Sequence, residues 1–170
     1  RRILKMAIHK IDGGPGGENN HFPKKFVTLY SSDAAANAIS KGDFVRIDVG
    51  DTTNGLGASV EQSPSATASG DPLVFGIATH ALATAGNLTV QVAGKYGDET
   101  AGGGANVHTD INAAGLPFTG GDSGAAGTVE LYASGTHTTS QILGFSLNAA
   151  GTGAYGANEC TVMLIDQGLF

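Results

Sequence analysis

Residues 73–94, LVFGIATHALATAGNLTVQVAG, decide the fold, because the same pattern returns at residues 142–165, ILGFSLNAAGTGAYGANECTVMLI. In each copy an apolar strand interrupted by one glycine leads through an Ala/Gly/Asn-rich connection into a strand that contains Thr-Val. Gly76 then matches Gly144 and Val90 matches Val162, with a longer connection in the second copy. The simplest reading is a tandem pair of similar β units.

Within the first copy, Leu88, Val90 and Val92 alternate with Thr89 and Gln91, the period-two pattern of a strand with one wet face. In the second copy Cys160, Val162 and Leu164 take the inward positions, but Thr161, Met163 and Ile165 leave the opposite face almost as apolar. That face needs cover from the rest of the chain or from another copy of it. Met163 and Ile165 are therefore expected in a buried or subunit-facing layer.

Working outward, Lys41-Gly42-Asp43 reads as a turn that launches a strand over residues 44–49, with Val45, Ile47 and Val49 on one face. Asn54-Gly55 is a two-residue hairpin signal that folds residues 58–61 back against that strand. Residues 128–133 form another strand, with Val129 and Leu131 inward. The alanine-rich residues 34–39 allow one helical turn capped by Asp33, too short to stand alone. The glycine run at 101–105 lacks the strand–loop–helix setting and GK[ST] ending of a phosphate cradle, so it reads as a connector. The expected fold is all-β: a small sandwich-like or barrel-like domain built from two similar β units, with an extended N-terminal arm.

At 170 residues the chain can bury a core without staples, and its 27 glycines fit many tight turns. Disorder would require fewer aliphatic and β-branched residues than the chain carries. The single cysteine, Cys160, sits in a strand pattern as a small apolar residue, without the basic neighbours that would activate a thiol. No stretch is long and apolar enough to span a bilayer, and no secretory leader pattern is present. These features imply a soluble protein made in a reducing cytoplasm.

Charge divides the chain. Through Tyr30 six basic residues face two acidic ones, whereas from Ser31 onward three basic residues face thirteen carboxylates. Together with the unpatterned loop DGGPGGENN at 12–20, this divides the chain into a basic arm, residues 1–30, and an acidic β-rich body, residues 31–170. Fully stretched, the arm reaches on the order of 100 Å, enough to cross a neighbouring subunit. Its candidate contact residues are Ile8, Lys10, Phe22, Lys24, Lys25, Phe26 and Tyr30. Nucleic acid is not the expected partner, since stacking side chains are few and the acidic body repels phosphate. Neither is a membrane surface, because apolar and charged faces do not separate in the arm. Met6 fits a true start, which would make the first five residues an upstream extension.

Gly121-Asp122-Ser123-Gly124 resembles the nucleophile signature of chymotrypsin-like proteases, and His80 stands in a faintly similar Ala-Thr-His-Ala setting. The chemistry needs serine, histidine and a buried aspartate in one constellation. His80 and Ser123 are too close in sequence to occupy two separate barrels, Ala125-Ala126 replaces the usual Gly-Pro, and no aspartate is placed as third member. His9, His21, His108 and His137 lack zinc-site spacing, and His108-Thr109-Asp110 is a poor metal pair. No catalytic residue, metal or cofactor is expected.

The order of motifs resembles the head decoration, or capsid cement, proteins of tailed bacteriophages. The resemblance is carried by AISKGDFV at 38–45, VFGIA at 74–78, AGNLTVQVAG at 85–94, ILGFSL at 142–147 and TVML at 161–164. The chain departs from the family pattern in its glycine-rich insertion after Gly97 and its long arm. The resemblance implies a β-rich domain that forms a homotrimer on the outside of an expanded head and clamps neighbouring major capsid protein subunits. A receptor-binding or carbohydrate-binding β module of a virion fibre or surface protein is the alternative, although such sites favour Trp and Tyr platforms and this chain has no Trp and four Tyr.

Overall fold

The alternating residues around Val90 belong to the longest strand of the structure, a computed structural model that describes residues 23–32, 38–51, 59–64, 70–98, 102–121, 125–137 and 141–168. In chain order the strands are β1 (Lys25–Ser31), β2 (Phe44–Asp48), β3 (Ser59–Gln62), β4 (Val74–Ala78), β5 (Gly86–Tyr96) and β6 (Ala105–Asn106). They continue with β7 (Pro117–Gly120), β8 (Val129–Leu131), β9 (Gly144–Ser146), β10 (Glu159–Cys160) and β11 (Val162–Leu164). Among the described residues there is no helix, and the fold is all-β.

Strands β1-β3-β2-β4-β5 close into a five-stranded barrel, because β1 also pairs with β5. The same sheet then runs on from β5 through β11, β9 and β7 to β8, while β6 and β10 form a separate two-stranded ribbon. β5 joins the two halves. Its residues from Gly86 to Ala93 pair with β1, and Gly94, Lys95 and Tyr96 pair with Leu164, Met163 and Val162 of β11.

The internal repeat appears as register. In the first unit Ile77 opposes Gln91 and Ala78 opposes Val90; in the second, Phe145 opposes Met163 and Ser146 opposes Val162. These are the pairs that the sequence alignment of the two copies equates. The matched glycines do the same work in each copy. A Cβ on Gly76 would lie 2.7 Å from the Gln91 carbonyl oxygen, and one on Gly144 would collide with the carbonyl oxygen of Met163, the residue equivalent to Gln91. Each glycine lets the cross-strand backbone approach closely.

Two cores result. One fills the barrel, with Val45, Val60, Phe75, Leu88 and Val90 at its centre. The other lies between the barrel wall and the second sheet, where Phe44, Ile77, Phe118, Val162 and Leu164 meet. Phe44 and Phe118 pack edge to face with centroids 5.6 Å apart. β4 is buried along its whole length because Phe75 and Ala78 serve the first core while Val74 and Ile77 serve the second. Its unbroken apolar run, VFGIA, is the sequence of a strand covered on both faces.

A buried carboxylate ties the halves together. Asp43 Oδ2 accepts hydrogen bonds from the Ser40 amide at 2.7 Å and from Gln62 Nε2 at 2.7 Å, and Oδ1 accepts one from Asn106 Nδ2 at 2.6 Å. The launching turn of β2 is thereby fastened to β3 and to β6. Burial pushes the Asp43 carboxyl above its ordinary value, and the three hydrogen bonds oppose that rise without cancelling it.

The structure corrects the arm boundary. Residues 25–30, which the sequence reading places in an arm, are the first strand of the barrel: β1 pairs with β5 from Lys25 to Ser31 and meets β3 at Tyr30. Val27 and Leu29 pack against the barrel core, which is why these residues fold with the body. The Asn54-Gly55 turn lies outside the described residues, but the fold-back it announces is present, with Val45 opposite Gln62 and Asp48 opposite Ser59. The expected helical turn falls largely on residues 33–37, also outside them. Ile39 itself is bridged to Leu82.

Candidate functional site

Gly94, at φ +87°, is where β5 passes from one sheet to the other. A left-handed backbone favours glycine there, and so does space, since a Cβ would sit 2.8 Å from the Pro23 carbonyl oxygen. Residues 23–25 cross β5 at this point and form one wall of a groove of about 600 Å³. The other wall is Met163 and Leu164 of β11 with Ile165 and Asp166 just beyond it, and Ala93 and Gly94 complete the lining. Lys25 Nζ reaches across to Asp166 Oδ2 at 3.3 Å. The Gly168 amide and then Lys25 hold the exposed Asp166 carboxyl below its ordinary value.

Four of the residues singled out from sequence, Lys24, Lys25, Met163 and Ile165, therefore line one groove. Phe26 and Tyr30 point outward from β1, both exposed, while Val27 and Leu29 point in. Ile8, Lys10 and Phe22 lie outside the described residues. Met163 is half-buried and Ile165 is exposed, so neither belongs to a buried layer of the single chain; of the two expected settings, the subunit-facing one is left open.

The groove opens onto a wider apolar face. Met163 stands opposite Phe145, and Phe145 stands opposite Pro117, so three strands present apolar side chains on the outer side of the second sheet. Leu147, two residues beyond Phe145, is exposed as well. The repeat gives this face its meaning. Ile77, the counterpart of Phe145 in the first unit, is 0% exposed, against 38% for Phe145. Ala93, the counterpart of Ile165, is 8% exposed, against 40% for Ile165. The same positions are covered by the chain in one unit and bare in the other.

Sequence reasoning found Met163 and Ile165 on this face but missed Phe145 and Leu147. The signal for them was present in the repeat, because the residue that aligns with Ile77 must share a sheet face with the residue that aligns with Gln91.

Other chemistry-bearing groups have structural partners. Cys160 is fully buried and burial pushes its thiol up to about 12, far from a reactive thiolate at neutral pH. His137 Nδ1 accepts the Ala133 amide at 2.8 Å, which places the ring proton on Nε2, 2.8 Å from Glu130 Oε1; the pair clamps the turn after β8. His80 is exposed, and residues 122–124 of the protease-like signature lie outside the described residues. Among the described residues no three His, Cys, Asp or Glu side chains gather as a metal site, and no helix is long and apolar enough to cross a membrane. No family model, curated protein or solved structure matches the chain.

Proposed function

We propose that this protein is a capsid cement protein, which sits on the outer surface of a bacteriophage head as a homotrimer and holds neighbouring major capsid protein subunits together, with no catalytic activity of its own. The carrying observation is the bare outer face of the second unit, apolar at Phe145, Leu147, Met163 and Ile165, where the equivalent face of the first unit is covered. Contiguous apolar surface of this kind favours association with another protein surface. At about 25 cal/mol per Å² of apolar area, a modest footprint per subunit yields several kcal/mol before the cost of association, and symmetry repeats the gain around a head.

A carbohydrate-binding role draws less support. Sugar platforms favour exposed Trp and Tyr rings; the chain has no Trp, Tyr96 and Tyr155 are buried, Tyr132 lies half-buried beside His137, and of the four tyrosines Tyr30 alone is exposed. The test is to replace both Phe145 and Met163 by Glu and to follow sedimentation of the protein alone and with expanded heads. The native chain is expected to sediment as a trimer and to co-sediment with heads, and the double variant as a folded monomer that does not. A native chain that stays monomeric and ignores heads would end this reading.

A further inference from the structure

β5 also lines a second depression, a cleft of about 370 Å³, and it has the opposite chemistry. Lys24, Lys41 and Lys95 line it together with one carboxylate, Asp98. From Ser31 onward the chain has only two lysines, Lys41 and Lys95, and its remaining cation, Arg46, is held by Glu61 at 2.7 Å and Asp71 at 3.0 Å. Both body lysines therefore converge on one cleft, with a third from the strand lead-in, on a body otherwise dominated by carboxylates. Summed charge, not an unpaired ammonium, makes the cleft attractive to an anion; Lys95 and Asp98 have partners within the fold.

The glycine run that reads as a connector helps to build this cleft. Gly103, at φ +80°, lies against the side chain of Lys41, and a Cβ there would come 3.3 Å from Lys41 Nζ. The absence of a side chain leaves room for the ammonium. The run is not a phosphate cradle, since the Gly102 amide is already donated to the Asp98 carbonyl at 3.0 Å. A long polyanion such as nucleic acid would meet the surrounding carboxylates, whereas one or two side-chain carboxylates would not.

Cleft and groove share Lys24, and β5 supplies residues to both: Ala93 and Gly94 to the groove, Gln91, Lys95 and Tyr96 to the cleft. We propose that the lysine cleft receives a side-chain carboxylate from an extended acidic and apolar segment of a protein partner, whose apolar side chain rests in the adjoining groove. This rests on the reading of the second unit as a docking face and adds the chemistry of what docks. In an extended segment alternate side chains point to opposite sides, as two depressions flanking one strand require.

The probe is acetyl-Leu-Glu-Leu-Glu-amide, titrated into the ¹⁵N-labelled full chain while amide resonances are followed. Shifts are expected at Gly97, Gly102 and Gly103 together with Ala93, Gly94 and Leu164. The affinity should fall by about fivefold or more in a folded K41Q/K95Q variant and in ~0.5 M salt. The proposal is overturned if the glutamine counterpart of the peptide binds equally well. It is also overturned if inorganic phosphate or an oligothymidylate moves the cleft amides at lower concentration than the peptide, or if nothing moves them up to ~10 mM. No head is needed for this titration, so failure of the cleft and failure of capsid binding are read separately.

Discussion

The matched glycines offer the sharpest test of the doubled architecture. In Gly76→Ala the new methyl would lie 2.7 Å from the Gln91 carbonyl oxygen and 2.5 Å from Val90 Cγ1; in Gly144→Ala it would strike the Met163 carbonyl oxygen and lie 2.7 Å from Phe118 Cζ. Neither glycine has a positive φ, so the cost is one of space and not of backbone conformation. A backbone oxygen cannot rotate away. To restore the 3.4 Å of ordinary contact, the strands must part by about 0.7 Å at Gly76 and further at Gly144. That separation weakens the local ladder bonds and disturbs a close-packed core, together worth about 2–4 kcal/mol. For a chain of this size the midpoint of thermal unfolding should fall by about 5–15 °C. Gly135→Ala is the control, since it has open space around it and no positive φ, and it should stay within about 0.5 kcal/mol of the native chain. Urea unfolding followed by circular dichroism measures all three. A folded Gly144→Ala variant as stable as Gly135→Ala would refute the close approach on which the second unit depends.

Two further outcomes follow from burial. Because the folded Asp43 carboxyl lies above its ordinary 3.8, its contribution to stability is fully present below that value and is lost as pH rises through the raised one. The stability of the native chain relative to Asp43→Asn should therefore decline between acid and neutral pH in urea titrations, and a flat or rising difference would contradict the buried setting. Truncation separates the arm from the body. Removal of residues 1–22 should leave the barrel's cooperative unfolding intact, whereas removal of residues 1–30 takes away β1 and with it Val27 and Leu29, so that chain should lose its thermal transition.

Much of the fold was legible where one physical signal dominated. The alternation around Val90, the apolar run at β4 and the repeated glycines gave the strands, whereas the register that the two copies share is seen only in the fold. The error at β1 is instructive, because FVTLY is rich in β-branched and aromatic residues but its outward Phe26 and Tyr30 blur the alternation that LTVQV shows. Its two neighbouring lysines and the long unpatterned stretch before it drew the strand into the arm, and its partner, β5, lies too far along the chain for local pattern to reveal. The groove was half legible. Met163 and Ile165 stood out as apolar residues on a face that ought to be wet, but only the folded chain brings Lys24 and Lys25 beside them. The lysine cleft was illegible for the same reason, since Lys24, Lys41 and Lys95 are scattered in sequence and meet only in the folded chain.

The eleven-residue β5 has a mechanical corollary. One continuous backbone serves as a stave of the barrel and as a rib of the outer sheet, so the chain offers no seam at which it could be cut into two independent modules. A pull on the outer sheet is carried straight into the barrel along a covalent strand, and heat should dissolve both in a single calorimetric peak. Whatever grips the exposed side of the molecule grips all of it.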